Sequence, residues 1–274
     1  MFEKSWSQQV DCILESDRGI ILCSYSCEDG VRKGKIEHID VVTMNVIEEI
    51  STSGTLDAFY HSGILYAANS QDITAYKDFK PLNKIETNAL NTFVSHGDNV
   101  YVSNILGEIS IFDFDLCLIT KIHVSKEPIW IVRQYKNYLF FGDESGVCYR
   151  YDLDRKEHIV IGDKRKGIIE IFFNENTLLV GSYDNNLEIY DIDSLKLLET
   201  KKNVGSLWRI RKYLGFFICA CIYDGLKIFD KNFSLLYSYK TDSLCYGLCL
   251  KSNFVFFSSF YEKKIFWFEI NKFL

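Results

Sequence analysis

Residues capable of chemistry gather in a few short segments of this chain: Tyr183-Asp184, Trp208-Arg209, Asp242-Ser243 with Tyr246-Gly247 close behind, and Ser259-Phe260-Tyr261-Glu262. Carboxylates and hydroxyls can move protons or attack a carbonyl, an arginine can hold an anion, and aromatic faces attract cations. Among five histidines, His38 and His158 fall on segments with strand character and His61 and His96 at strand ends. His123 alone falls between strands, and its ordinary titration range suits a general base. For each residue taken singly a structural reading competes: Trp208 as a core anchor, Asp184 as a turn former, Arg209 as an ion-pair partner. Convergence would favour function, and convergence depends on the elements that carry these residues.

Those elements repeat. Ile-Phe-Asp ends at Asp113, Arg-Tyr-Asp at Asp152, Ile-Tyr-Asp at Asp191, Ile-Phe-Asp at Asp230 and Trp-Phe-Glu at Glu269, each step being 39 residues. Upstream, Asp40 and Lys77 hold the same place, with steps of 37 and 36, which completes seven units. One unit reads as four short strands, Ile168 to Asn174, Thr177 to Tyr183, Leu187 to Ile192 and Lys196 to Lys202, separated by Asn and Asp. The next reads as Leu207 to Tyr213, Phe216 to Tyr223, Leu226 to Lys231 and Leu235 to Thr241. Apolar residues alternate or run together over five to seven positions rather than recurring at helical spacing. A repeat of about 40 residues made of short strands predicts an all-β, seven-bladed β-propeller of the WD40 type. The last unit supplies Cys245 to Lys251, Phe254 to Tyr261 and Lys264 to Ile270, so residues near Phe2 to Ser7 are expected to add its outer strand and close the ring.

Composition agrees with one propeller spanning 1–274. At 47% hydrophobic residues the chain can bury a large core, with two prolines and no low-complexity tract. The longest apolar run, Tyr213 to Tyr223, is far shorter than the roughly 20 residues that span a bilayer. The N-terminal residues lack the basic and apolar regions of a secretory signal, which predicts a cytoplasmic protein. Nine cysteines without CxxC spacing read as reduced structural thiols, leaving little room for zinc. A net charge of −6 argues against a general nucleic-acid grip. The one compact basic run, Lys164-Arg165-Lys166, reads as a solvated loop.

In a propeller blade the loop leading into the innermost strand and the loop between the second and third strands share one face. The leading loops here hold His123 to Ile129, Asp163 to Gly167, Asn203 to Ser206 and Asp242 to Leu244. The second kind hold Asp143 to Gly146, Asp184 to Asn186, Asp224-Gly225 and Glu262-Lys263. All are expected around one mouth of the central channel, where the segments named at the outset would meet.

Taken in order, Gly-Ser-Tyr-Asp (181 to 184), Val-Gly-Ser-Leu-Trp-Arg-Ile (204 to 210), Ala-Cys-Ile-Tyr-Asp-Gly-Leu-Lys-Ile (220 to 228), Asp-Ser-Leu-Cys-Tyr-Gly (242 to 247) and Ser-Phe-Tyr-Glu (259 to 262) resemble successive signatures of the diphthine methyl ester hydrolase family, WD-repeat proteins of diphthamide biosynthesis. The likeness covers the last four units. Upstream, His123, Glu127 and Trp130-Ile131 are similar to a family segment with an insertion, and Phe-Gly-Asp-Glu-Ser-Gly (141 to 146) is similar to a family turn with Glu144 in place of Asp. Glu262 and Lys263 stand where the family usually has Asp and commonly has His.

The resemblance implies hydrolysis of the methyl ester of diphthine methyl ester on translation elongation factor 2, releasing methanol, without metal or organic cofactor. A closed propeller can act alone, so a monomer is expected, and charge and apolar-run length predict contact with neither nucleic acid nor membrane. Ester hydrolysis needs an activated oxygen nucleophile, a proton donor for methoxide and donors for the oxyanion. No Gly-x-Ser-x-Gly elbow is present, which argues against a conventional serine triad. On this reading His123 is the general base acting on water, oriented by Glu127 or Asp143. Arg209 faces the oxyanion or the substrate carboxylate, and Ser182 and Ser259 are secondary nucleophile or hydrogen-bond candidates. The family substrate carries a trimethylammonium group, for which Tyr183, Trp208, Tyr246 and Tyr261, with Trp130 nearby, would form an aromatic cage. The acids Asp143, Asp184, Asp224, Asp242 and Glu262 would attract the same cation. A non-catalytic propeller that displays peptides or partner proteins is the competing class.

Overall fold

A computed structural model describes residues 1–163 and 166–272. Lys164 and Arg165 of the basic run lie outside them. Seven four-stranded antiparallel sheets follow one another along the chain, and the fold is a seven-bladed β-propeller. The first two blades are Gln9–Ser16, Gly19–Glu28, Val31–Ile39 and Val46–Thr52, then Thr55–His61, Ile64–Asn69, Asp72–Lys77 and Lys80–Glu86. The third and fourth are Asn91–His96, Val100–Asn104, Glu108–Phe112 and Leu118–His123, then Ile129–Tyr135, Tyr138–Asp143, Val147–Asp152 and Glu157–Asp163. The fifth and sixth are Ile168–Asn174, Thr177–Ser182, Leu187–Asp191 and Leu197–Lys201, then Leu207–Tyr213, Phe216–Cys221, Gly225–Phe229 and Leu235–Tyr239. Two compact units divide the chain, Met1–Asn88 with Arg209–Leu274 and Ala89–Trp208.

In five of the blades the aspartate that ends the repeat motif closes the turn between the third and fourth strands. Oδ1 of Asp40 accepts from the backbone N–H groups of Val42 and Thr43, that of Asp113 from Asp115 and Cys117, and that of Asp152 from Asp154 and Arg155. Asp191 caps Ser194, and Asp230 caps Asn232 and Ser234. A residue in the left-handed region completes each of these turns: Met44, Leu116, Lys156, Leu195 and Phe233. The side chain stands in for a backbone acceptor that the tight turn cannot supply. The backbone and hydroxyl donors of Ser194 hold the Asp191 carboxyl below its ordinary value of 3.8.

The seventh blade is Leu248–Lys251, Phe254–Ser259, Lys264–Glu269 and, outermost, Phe2–Ser5. Phe2 pairs with Trp267 in register and stacks on its ring at 5.8 Å, Trp6 N–H donates to the Lys263 carbonyl at 2.6 Å, and Glu3 faces Lys264 Nζ at 3.2 Å. The expected closing strand is thus in place, two residues shorter than the sequence suggests.

The second strands of most blades are buried on both faces, whereas the outermost strands lie largely exposed. Phe93, Tyr101, Ile131, Phe140, Ile171 and Tyr190 share a core in the third to fifth blades. In the other unit, Ile218, Leu226, Val255 and Phe257 pack together, as do Val10, Ile20, Leu22 and Phe256, and Cys12, Ile21, Ala58 and Tyr76. No disulfide forms among the described residues, and burial pushes the Cys221 thiol up to about 12. Several strands stop short of their sequence bounds: Tyr183, Tyr223 and Tyr261 lie in turns, and the last inner strand begins at Leu248 rather than Cys245.

One placement is corrected. His123 is the exposed last residue of the outer strand Leu118–His123, paired with Glu108, and is not in the loop leading to the next inner strand. The ladder runs one residue further than the polar sequence suggests because Glu108 extends the partner strand by the same amount.

Two outcomes follow for stability. Deleting residues 1–5 bares the edge of Lys264–Glu269 and should lower the thermal unfolding midpoint and promote aggregation, read by circular dichroism and light scattering. Asp191→Ala should lower that midpoint at neutral pH. The deficit should shrink on acidification through the depressed carboxyl pKa, where the wild-type side chain also becomes protonated and its contribution is lost.

Candidate active site

Five of the innermost strands begin irregularly. The pairing with the second strand shifts by one residue at Val10/Cys12, Thr55/Asp57, Asn91/Phe93, Ile129/Ile131 and Ile168/Glu170. Such bulges re-aim side chains, so the residues at the head of these strands are free to take special directions.

In the unit Ala89–Trp208 the named residues act mainly as turn builders. Asp143, 1% exposed, accepts from Ser125 Oγ and Ser145 Oγ at 2.7 Å, from Val147 N–H at 3.1 Å and from Tyr149 Oη at 3.2 Å. Its lone pairs are taken up by these four donors, and it does not touch His123 through any of them. Ser182, fully buried, donates to Asp184 at 2.5 Å, and Asp184 also accepts from Asn186 N–H at 2.9 Å. Glu127 is exposed, its N–H on Ser125 Oγ, and Trp130, half-buried, donates to Glu144. Tyr183 and Trp208 are half-buried. No hydrogen bond described for His123, Glu127 or Asp143 makes them a base and its orienting partner.

The other unit, Met1–Asn88 with Arg209–Leu274, holds a different arrangement. Arg209, 5% exposed, pairs with Asp57 at 3.2 Å, with both side chains nearly excluded from solvent. Asp11, 5% exposed, interacts electrostatically with both. Burial raises its carboxyl pKa, Arg209 lowers it, Asp57 raises it again and Arg32 lowers it, leaving it at about 7. Asp11 Oδ1, Gln9 Oε1 and Arg32 Nε are buried and make no hydrogen bond among the described residues. Each such orphan costs about 1–3 kcal/mol unless something satisfies it. The Asp11 and Arg32 orphans, which act on one another, form a place where a ligand bearing donors and acceptors would bind.

An aromatic row adjoins this centre. The Arg32 guanidinium lies 5.6 Å from the Tyr25 ring centroid, and Tyr25 meets Phe260 edge-on at 5.4 Å. Phe260 in turn meets Tyr246 and Tyr261, both at 5.2 Å. Gly54, at φ +96°, permits this approach, since a Cβ there would stand 3.0 Å from Tyr25 Cβ and 3.1 Å from Arg32 Cβ. Tyr261 is 67% exposed, so the row runs from the buried acid to solvent. At that outer end Ser259 and the Asp242 N–H both donate to Glu262, and Ser243 Oγ accepts from Tyr261 N–H at 2.8 Å. Asp224 pairs with Lys227 at 2.8 Å.

The structure therefore brings Arg209 together with Asp57 and Asp11, and Tyr246 together with Tyr261, Ser259, Glu262 and Asp242. Sequence reasoning missed Asp11, Asp57, Tyr25 and Arg32. A signal was available for the first: Asp11 stands in an otherwise apolar strand, Val10-Asp11-Cys12-Ile13-Leu14, where a carboxylate has no structural duty.

No protein-family model and no curated protein matches the chain. Among solved structures, the WD40 β-propeller domain of Doa1 is similar with a TM-score of 0.77 at 13% identity, over 96% of this chain and 94% of that one. The computationally designed Ika8 protein is similar with a TM-score of 0.69 at 12% identity, over 97% and 98%. Both likenesses concern the fold, which is that of a WD40-type propeller.

The charge balance sets the pH response. The folded Asp11 pKa lies above its ordinary 3.8, so the folded state binds the proton more tightly, and stability should decline as pH rises from about 4 to about 7. Asp11→Asn should flatten that decline in thermal melts. Arg209→Ala should cost roughly 3–5 kcal/mol in denaturant unfolding, because it strands Asp57 without its buried partner.

Proposed function

We propose that this propeller hydrolyses the methyl ester of diphthine methyl ester on translation elongation factor 2, with Asp11 as general base. The observation that carries the reading is a buried carboxylate with an unsatisfied oxygen whose charge interacts with Arg209, itself a residue of the segments that resemble the hydrolase family. Ionised Asp11 takes a proton from water as the water oxygen attacks the ester carbonyl. The Arg209 charge stabilises the tetrahedral oxyanion, which collapses, and methoxide leaves with the proton returned by Asp11. The products are methanol and the free carboxylate.

A base with a pKa of about 7 combines adequate strength with a useful ionised fraction at neutral pH. The row Tyr25, Phe260, Tyr246 and Tyr261, with Asp242 and Glu262 at its open end, suits the trimethylammonium group of the substrate. A desolvated cation gains about 2 kcal/mol from a ring face. Tyr183 and Trp208 are the further cage residues, and His123 the alternative base, that the family resemblance implies. The competing reading is a propeller that binds a protein partner without chemistry, as this fold commonly does.

Methanol release from elongation factor 2 bearing diphthine methyl ester decides between them, followed by mass spectrometry of the modified histidine. Asp11→Asn should lower kcat by about a hundredfold or more while leaving the protein at least as stable at neutral pH. The wild-type rate should rise with pH through an apparent pKa of about 7. His123→Ala, on an exposed strand end, tests the alternative base directly: full activity removes it. Binding without methanol release by the folded wild type would establish the partner-binding propeller instead.

A further inference from the structure

At the opposite end of the first inner strand from Asp11 lies a cavity of about 340 Å³, walled entirely by residues between 16 and 79. Ser16, Arg18, His38, Glu48, Tyr76 and Phe79 line it. Ser16 Oγ stands 2.8 Å from His38 Nε2. The His38 side chain is 4% exposed, and its Nδ1 makes no hydrogen bond among the described residues but faces Glu48 Oε2 at 3.9 Å. The imidazole is stacked on Phe79 with centroids 5.4 Å apart and planes within 8°, which fixes the ring.

These contacts set the protonation pattern. Desolvation holds the His38 pKa below its ordinary value, reinforced by Arg18 and opposed by Glu48, so the ring is neutral at physiological pH. A neutral imidazole carries one proton, and the Glu48 carboxylate facing Nδ1 favours that proton on Nδ1. The Nε2 lone pair is then directed at the Ser16 hydroxyl. Nucleophile and base are within hydrogen-bond reach, and the acid stands 3.9 Å from the far ring nitrogen, close enough to orient the ring once it closes that gap, although no Gly-x-Ser-x-Gly elbow presents the serine. The strand end before the tight turn at Asp17 and Arg18 does so instead.

A Ser–His hydrogen bond could simply tie the first strand to the third. Two features exceed that duty: the unsatisfied buried Nδ1 and the open volume against the pair. Apolar Ile21 and Leu65 with the rings of Tyr60, Tyr76 and Phe79 suit a small organic group, while Asp17, Glu48 and Asp78 outnumber Arg18 and disfavour an anion. We propose that Ser16, with His38 as base and Glu48 as orienting acid, is a nucleophile that takes an acyl group from small uncharged carboxylic esters. Ser16 Oγ attacks the carbonyl carbon as its proton passes to His38 Nε2. The tetrahedral adduct expels the alkoxide, which leaves as an alcohol with that proton, and acyl-Ser16 remains. Water then repeats the sequence and releases the acid. This site shares no residue with the Asp11 centre and stands or falls independently of it.

A biotinylated fluorophosphonate reports such a serine, because attack forms an O–P bond and expels fluoride. With the folded wild-type chain, peptide mass spectrometry should map a single adduct to Ser16. Labelling should vanish in Ser16→Ala and slow by about a hundredfold in His38→Gln, with folding checked by circular dichroism. No adduct on Ser16 in the folded wild type, an adduct elsewhere, or an undiminished rate in His38→Gln would each overturn the proposal. The wild-type result decides even if a variant fails to fold.

Discussion

A carboxylate accepting backbone N–H groups in the turn between the third and fourth strands is the contact on which the regularity of this fold rests. Asp40, Asp113, Asp152, Asp191 and Asp230 each do this, and each turn ends in a residue with positive φ. Without an acceptor there, the tight turn would leave these N–H groups to solvent and lose the contact that fixes its shape. The two blades lacking this aspartate show what replaces it. After Lys77 the strands join through Asp78 and Phe79, both at positive φ, in a two-residue hairpin that needs no side-chain cap. After Glu269 the chain passes into the short helix Ile270–Lys272, and the outer strand comes from Phe2–Ser5.

That regular frame allows irregular chemistry to be carried cheaply at the strand heads. Bulged starts release the first residues of the inner strands from the ladder, and several of these positions are polar. In blade 5 the fully buried Glu170 is met by Arg133 at 3.2 Å. In the first unit Arg209 meets Asp57 at the same distance, and a second carboxylate, Asp11, is left over. One satisfied pair and one surplus acid is the difference between a structural ion pair and a group able to exchange a proton near neutrality.

The Ser16, His38 and Glu48 cluster follows the same logic at the other strand end. Its members sit on the first, third and fourth strands of one blade, so the sheet holds the first two at hydrogen-bond distance and leaves the third looser. The second blade supplies Phe79, whose ring clamps the imidazole.

The repeat of turn acids, the four-strand units and the closing N-terminal strand were legible in the chain alone, because a two-residue strand period and an aspartate at a tight turn act over a few residues. Turn roles for Asp184 and ion-pair roles for Arg209 were also among the readings open from sequence. His123 was misplaced because one extra ladder pair, with Glu108, lies beyond what local polarity indicates. Asp11, Asp57 and Arg32 were invisible as a group. Asp57 and Arg209 are 152 positions apart, and only packing decides which acid loses its water and which gains a partner. Secondary structure and repeat are set by short-range sterics and hydrogen bonds, whereas desolvation and charge pairing are set by what folds over a residue, and that belongs to the tertiary structure.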